Sequence, residues 1–178
     1  MSGKLTDGQS CVNKRDASQN GDQKMMVGNM EQKPFWETTA LADMDAAQWE
    51  ALCDGCAKCC LIKLQDEDTE DIVFTDVACH LLDQGTCQCT QYEARTKLVP
   101  TCVKLTKDNL HEVDFMPPSC AYRLLHEGKP LPDWHPLISG TQDSVTAAGM
   151  SVKGRVLDET AFEGDWETRI VDWPLAIK

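Results

Sequence analysis

The hydrophobic pattern of this chain begins only after a long polar stretch. Residues 1–32 are rich in Ser, Asn, Gln, Gly and Lys and show no periodicity, which predicts a disordered tail. Beyond it, apolar residues recur at helical spacing at Leu41, Met44, Trp49 and Leu52. This spacing predicts an amphipathic helix over about 43–60, entered at Asp43 or Asp45 as the N-cap.

Two further elements are predicted in the middle of the chain. Short apolar runs at 63–64 and 72–75 flank the acidic segment 66–71, which predicts a β-hairpin with an acidic turn. A second helix is expected at about 120–127, because two prolines precede it and Gly128 can end it.

The last part of the chain predicts less regular structure. Residues 129–140 hold three of the eight prolines and are expected to form an irregular, packed loop. A strand is expected at 151–157 and a short segment around 166–173. Together the elements predict a small, loop-rich, cysteine-rich α+β fold, organised around a metal site in a single domain over 33–178.

Cysteine makes the composition unusual, because nine of the ten cysteines lie within residues 53–120. These nine are Cys53, Cys56, Cys59, Cys60, Cys79, Cys87, Cys89, Cys102 and Cys120. The sequence shows no apolar run that suits a signal peptide or a membrane-spanning helix, so we expect a cytoplasmic protein. Thiols stay reduced there, and metal ligation is favoured over disulfides. We therefore predict that residues 53–120 form a metal-binding core.

The net charge of −12 disfavours partners that are themselves negatively charged. A chain this acidic is unsuited to holding nucleic acid or an anionic membrane surface by charge. The expected partner is a metal ion or cluster, with a protein partner as a further option. No P-loop, GxGxxG, HExxH or GxSxG motif is present, so no catalytic residue is assigned.

The central motif is a CxxCxxCC box, residues 53–60. If the box were helical, its four sulfurs would fall within an arc of about 120°. If it were a loop, Cys53, Cys56 and Cys59 could still offer three thiolates to a cluster, with a distant fourth. Neighbouring side chains diverge, so Cys59 and Cys60 are expected to serve two centres or two irons of one cluster.

The remaining cysteines leave the identity of the metal open. The Cys87-x-Cys89 pair could chelate one ion, and Cys120 is held by the prolines before it. Zinc would require two or three ions with shared thiolates, whereas an iron–sulfur cluster would take three box cysteines and one remote cysteine. His80, next to Cys79, is a further possible ligand, and His135 is interpreted first as a packed structural histidine.

The box, the CxC pair and the later CAYRLL segment, in this order, resemble the YcgN family of bacterial cysteine-cluster proteins. The resemblance runs from about Pro34 to the C-terminus. It implies that the box binds metal, within a wider superfamily of zinc- or iron-chelating domains that includes flagellin lysine methylases.

Three functions remain possible at this point. The first is a metal-binding protein, with an iron–sulfur cluster or Zn²⁺, that acts as a redox, sensing or assembly factor. The second is a zinc-stapled acidic module that binds a protein partner. The third is a cluster-dependent transferase, by analogy with the methylases.

Overall fold

The structure is a computed structural model that describes residues 33–177, with the side chain of residue 112 left out. The predicted tail over 1–32 therefore lies outside the described residues. The described part mixes helices and sheets, as the predicted α+β class requires. None of its helices is both long enough and apolar enough to cross a membrane.

The strands form two small sheets. They are β1 (Leu61–Gln65), β2 (Ile72–Ala78), β3 (Leu82–Asp83), β4 (Gln88–Cys89), β5 (Leu157–Asp158) and β6 (Ile170–Val171). Strands β1 and β2 pair antiparallel around the acidic turn, which confirms the predicted hairpin. Strands β3 and β4 form the second, two-stranded sheet.

Strand β2 is the centre of the larger sheet. One edge pairs with β1, and the other edge is shared by two late segments of the chain. Strand β6 pairs antiparallel with the first half of β2, and β5 pairs parallel with its last two residues. The C-terminal part of the chain is thereby joined to the strand that leads into Cys79.

The helices are short. They are α1 (Phe35–Thr38), α2 (Ala46–Ala51), α3 (Arg95–Leu98), α4 (Ala121–His126), α5 (Pro136–Ser139) and α6 (Asp143–Ala147). Helix α2 starts at Asp45, which makes a reciprocal capping box with Gln48. The predicted start is thus confirmed, but the helix ends nine residues before the predicted end at 60. Helix α4 confirms the predicted second helix, and Gly128 follows it with φ of 69°.

3₁₀ turns fill much of the remaining chain. They are Leu41–Asp43, Lys58–Cys60, Lys107–Phe115, Glu159–Ala161, Trp166–Arg169 and Trp173–Leu175. The predicted loop over 129–140 contains α5. The strand predicted at 151–157 is wrong except at Leu157, because a turn in which Arg155 N–H donates to Val152 O, with Gly154 at φ of 70°, interrupts it.

Three buried clusters form the core. The first is Met44, Trp49, Leu52, Ala121, Tyr122 and Leu131, between α2 and α4. The second is Ala57, Leu61, Phe74, Ala78, Leu82 and Val152, on the larger sheet. The third is Cys56, Val145 and Met150. Since Leu52, Cys56 and Ala57 each belong to a different cluster, the short segment 52–57 crosses the junction of all three.

Candidate metal centre

The CxxCxxCC box is a loop followed by a 3₁₀ turn. Gly55 has φ of 66° and Ala57 has φ of 60°, and an α-helix cannot pass through two such residues. The helical version of the box is therefore wrong, and the loop version describes it. Only residues 58–60, at the end of the box, return to a helical turn.

Distant parts of the chain hold the backbone of this loop. Val152 N–H donates to Cys56 O over 3.1 Å, and the Gln142 amide donates to Asp54 O. A Cβ on Gly55 would lie 2.7 Å from Gln142 Nε2, so a larger residue would displace this side chain as well as strain φ. The loop is a product of tertiary contacts rather than of its own backbone bonds.

Asp54 places a buried carboxyl group inside the loop. Its side chain is 5% exposed, and Oδ1 accepts the Cys56 N–H over 3.0 Å. Among the described residues, Oδ2 is buried with no hydrogen-bond partner. A buried polar atom of this kind is costly unless something satisfies it. A cation bound near Oδ2 would satisfy it. The thiols described next are metal ligands as well.

We assign Cys53, Cys56, Cys59 and Cys120 to a first thiol set, because their charges act on one another. The first three come from the box itself. Cys120 is brought to them because Lys58, fully buried in the box, donates from Nζ to Ser119 Oγ over 3.1 Å. The charge of Cys59 acts on the other three members, and it also acts on Cys60 and Cys102.

Raised pKa values favour the protonated form of three of these four thiols when no cation is bound. Burial raises the pKa of Cys53 and of Cys120 to about 12, although Cys53 retains exposed surface, and it raises the pKa of Cys56 well above its ordinary value. Asp54 adds to each of these increases. Cys59 differs, because a hydrogen bond from the Cys60 thiol lowers its pKa to about 7. A metal ion would have to displace protons from the other three.

We assign Cys60, Cys79, Cys89 and Cys102 to a second thiol set on the same electrostatic grounds. The hairpin register places two of them together, because Cys79 N–H donates to Cys60 O over 2.9 Å. Cys89 lies opposite Leu82 in the small sheet. The charges of Cys89 and Cys102 add to the burial that raises the pKa of Cys79.

Two basic side chains lie beside the second set. Lys63 Nζ donates to Cys59 O over 2.8 Å, and its charge opposes the burial that raises the pKa of Cys102. Arg95 opposes it more strongly. These cations would compensate part of the negative charge of four thiolates.

Cys87 points elsewhere. Its backbone has φ of 59°, and its Sγ lies 3.3 Å from Ser151 Oγ. We therefore leave Cys87 outside both sets, and chelation of one ion by the Cys87-x-Cys89 pair stays a prediction.

His135 has a structural position. It is fully buried, its Nε2 lies 3.1 Å from Leu52 O, and its Nδ1 accepts the Leu137 N–H. These partners assign the proton to Nε2. Burial lowers the pKa of His135, so the ring stays neutral. Its role is to hold the carbonyl of the residue that precedes the box.

Within residues 33–177, one group brings three possible ligand atoms of different side chains within 4.8 Å of one another: Cys79, His80 and Glu159. Sequence reasoning singled out the first two and missed Glu159. Glu159 stands in a segment with no metal-binding motif, and no sequence signal links it to the cysteines.

A loop rich in cysteines beside a buried carboxylate is typical of a cysteine-cluster metal-binding domain. A family model described as "Putative zinc- or iron-chelating domain" matches residues 52–121. The chain belongs to the UPF0260 family. It is 59% identical over 146 residues to a UPF0260 protein of Parvibaculum lavamentivorans, covering 81% of this chain and 95% of the relative.

Other relatives in the same family are nearly as similar. A UPF0260 protein of Gluconobacter oxydans is 52% identical over 141 residues, or 79% of this chain and 86% of the relative. One of Rhizobium etli is 49% identical over 149 residues, or 83% of this chain and 94% of the relative. No solved structure matches the chain.

Proposed function

We propose that this protein retains iron, as an iron–sulfur cluster, or zinc in two neighbouring four-thiol centres, and acts as a redox, sensing or assembly factor. The proposal is supported by eight thiols whose charges act on one another, and we divide them into two sets of four that meet at the neighbours Cys59 and Cys60. Four cysteines are the ligand set of structural zinc sites and of common iron–sulfur clusters.

The electrostatics of the loop support retention of a cation. The Oδ2 atom of Asp54 is buried without a hydrogen-bond partner. The pKa values of Cys53, Cys56 and Cys120 are raised, so deprotonating these thiols without a cation is unfavourable. A bound cation would favour loss of the thiol protons and balance Asp54. Metal binding would then also stabilise the junction of the three core clusters.

The test is elemental analysis and visible absorption of the full chain purified without oxygen. We expect stoichiometric iron with visible absorption, or stoichiometric zinc without colour. Cys56→Ser should remove the metal of the first set and Cys102→Ser that of the second, while Cys87→Ser should retain both. Folded wild-type protein that holds no metal would refute the proposal, and equal loss in all three variants would refute the division into two sets.

A further inference from the structure

The mixed group at the end of β2 is built by sheet register. Strand β5 runs parallel to β2, with Val77 opposite Leu157 and Ala78 opposite Asp158. The next residues along the chain, Cys79 and Glu159, follow the two strands at the same end of the sheet. A residue from the end of the chain is thereby brought against the cysteine region by backbone pairing.

Glu159 is fixed in this position by the backbone as well as by a side chain. Its Oε1 accepts the His80 N–H over 2.7 Å and also contacts His80 Nδ1 closely. The Cys79 sulfur completes the group, and the three ligand atoms all lie within 4.8 Å of one another. The charge of Glu159 raises the pKa of Cys79 further, beyond the effect of burial.

An ordinary surface ion pair accounts for only part of this arrangement. Exposed pairs contribute about 0–1 kcal/mol to stability, and His80 with Glu159 alone would be one. The convergence of a thiol, an imidazole nitrogen and a carboxylate oxygen is instead the mixture of ligands that zinc accepts. The His80 and Glu159 side chains are 41% and 24% exposed, so an ion and a water molecule can reach them.

We propose that Cys79, His80 and Glu159 bind one divalent cation of borderline softness, such as Zn²⁺, at the edge where β2 and β5 end. This site is additional to the two four-thiol centres and rests on the proposed function only in sharing Cys79. A thiolate can bridge two ions, so Cys79 can serve the second thiol set and the mixed site together.

The test uses the full chain, purified without oxygen and then equilibrated with Zn²⁺ against a chromophoric chelator. Glu159→Gln and His80→Gln should each lose one zinc equivalent, or bind it at least about tenfold more weakly, with the other metal unchanged. The matched controls are Glu163→Gln and His126→Gln, which change exposed residues of the same types. They should bind as the wild type does.

Zinc K-edge absorption provides a readout of the ligands themselves. The wild type should show a nitrogen or oxygen shell at about 2.0–2.1 Å beside sulfur at about 2.3 Å, and the two variants should lose the light-atom contribution. Sulfur-only scattering, or equal zinc binding by Glu159→Gln and wild type, would overturn this proposal and leave the thiol centres standing. Wild-type protein without sulfur-bound metal would overturn the thiol centres themselves.

Discussion

The two thiol sets are built in different ways. The first lies in a loop whose backbone departs twice into positive φ and is held by residues such as Gln142 and Val152 from far along the chain. Three members of the second lie on or next to paired strands, and two of them, Cys60 and Cys79, share a backbone hydrogen bond. Ordinary sheet pairing therefore supports the second set, whereas the first depends on packing around a buried carboxylate. We expect the first set to couple metal to folding, and the second to lose metal with less damage.

The largest effect is expected from Cys56→Ser in the first set, and we compare it with the single variant Cys89→Ser in the second. Cys56 is 6% exposed and belongs to a core cluster, so serine would place a hydroxyl there and remove a ligand. We expect a loss of at least about 3 kcal/mol, or roughly 6–12 °C in melting temperature. Cys89, half-buried on a two-residue strand, should cost less than half of that. Thermal unfolding followed by circular dichroism measures both, and equal losses would abolish the distinction between the sets.

A smaller effect is expected at His135, which supports the start of the loop. His135→Phe would leave Leu52 O and Leu137 N–H without their partner and should cost about 2–3 kcal/mol. His126→Phe, at an exposed position, is the control and should be nearly neutral.

The same histidine predicts a pH dependence. Burial lowers the pKa of His135 below its ordinary 6.5. As the pH falls below that value, the unfolded chain therefore binds a proton at His135 more readily than the folded chain does. Stability should therefore fall as the pH drops from about 7 toward 5, and His135→Phe should flatten part of that slope relative to His126→Phe. Denaturant unfolding at several pH values measures it; parallel slopes in the two variants would remove His135 as the cause.

Gly55 and Gly128 offer a comparison of similar backbone conformations. Their φ values are 66° and 69°, but a Cβ at Gly55 would meet the Gln142 amide at 2.7 Å, whereas nothing lies within 4 Å at Gly128. Gly128→Ala should cost about 1 kcal/mol from φ alone, and Gly55→Ala about 1 kcal/mol more. Chemical denaturation measures both losses. In a Gln142→Ala background, the additional loss of stability at Gly55→Ala should disappear, because the side chain that the new Cβ meets is gone.

The smallest perturbation is chemical modification of a single thiol. In metal-free protein, Cys59 combines exposed surface with a pKa of about 7, so it should be the first thiol to react with iodoacetamide near neutral pH. Peptide mapping by mass spectrometry identifies the site. Preferential labelling of Cys120, whose pKa is raised to about 12, would contradict the assignment.

Sequence reasoning succeeded where the signals were local. Helix α4 lies between Pro118 and Gly128, and the hairpin turn is marked by a run of acidic residues, so both could be located from neighbours alone. The predicted helix over 43–60 failed beyond Ala51 because the apolar pattern continues to Leu52 while Gly55 and Ala57 turn the backbone away.

The site shows the same division. The box and the candidate cysteines could be found from their spacing, but their grouping could not. Cys120 reaches the box through Lys58 and Ser119, and Glu159 reaches Cys79 through a two-residue parallel strand. Contacts between residues 60 to 80 positions apart leave no periodic trace in a single sequence.

The position of β6 has a consequence for how the protein is made. Strand β2 ends at Ala78, yet Phe74 and Thr75 gain their partners in β6 only once Val171 has been synthesised, more than ninety residues later. At about 5–20 residues per second, a ribosome needs roughly 5–20 s to add that length. During this interval the nascent chain exposes part of this strand edge. An unpaired edge is a template for wrong pairing with other chains, so the growing polypeptide is most prone to aggregate before β6 arrives.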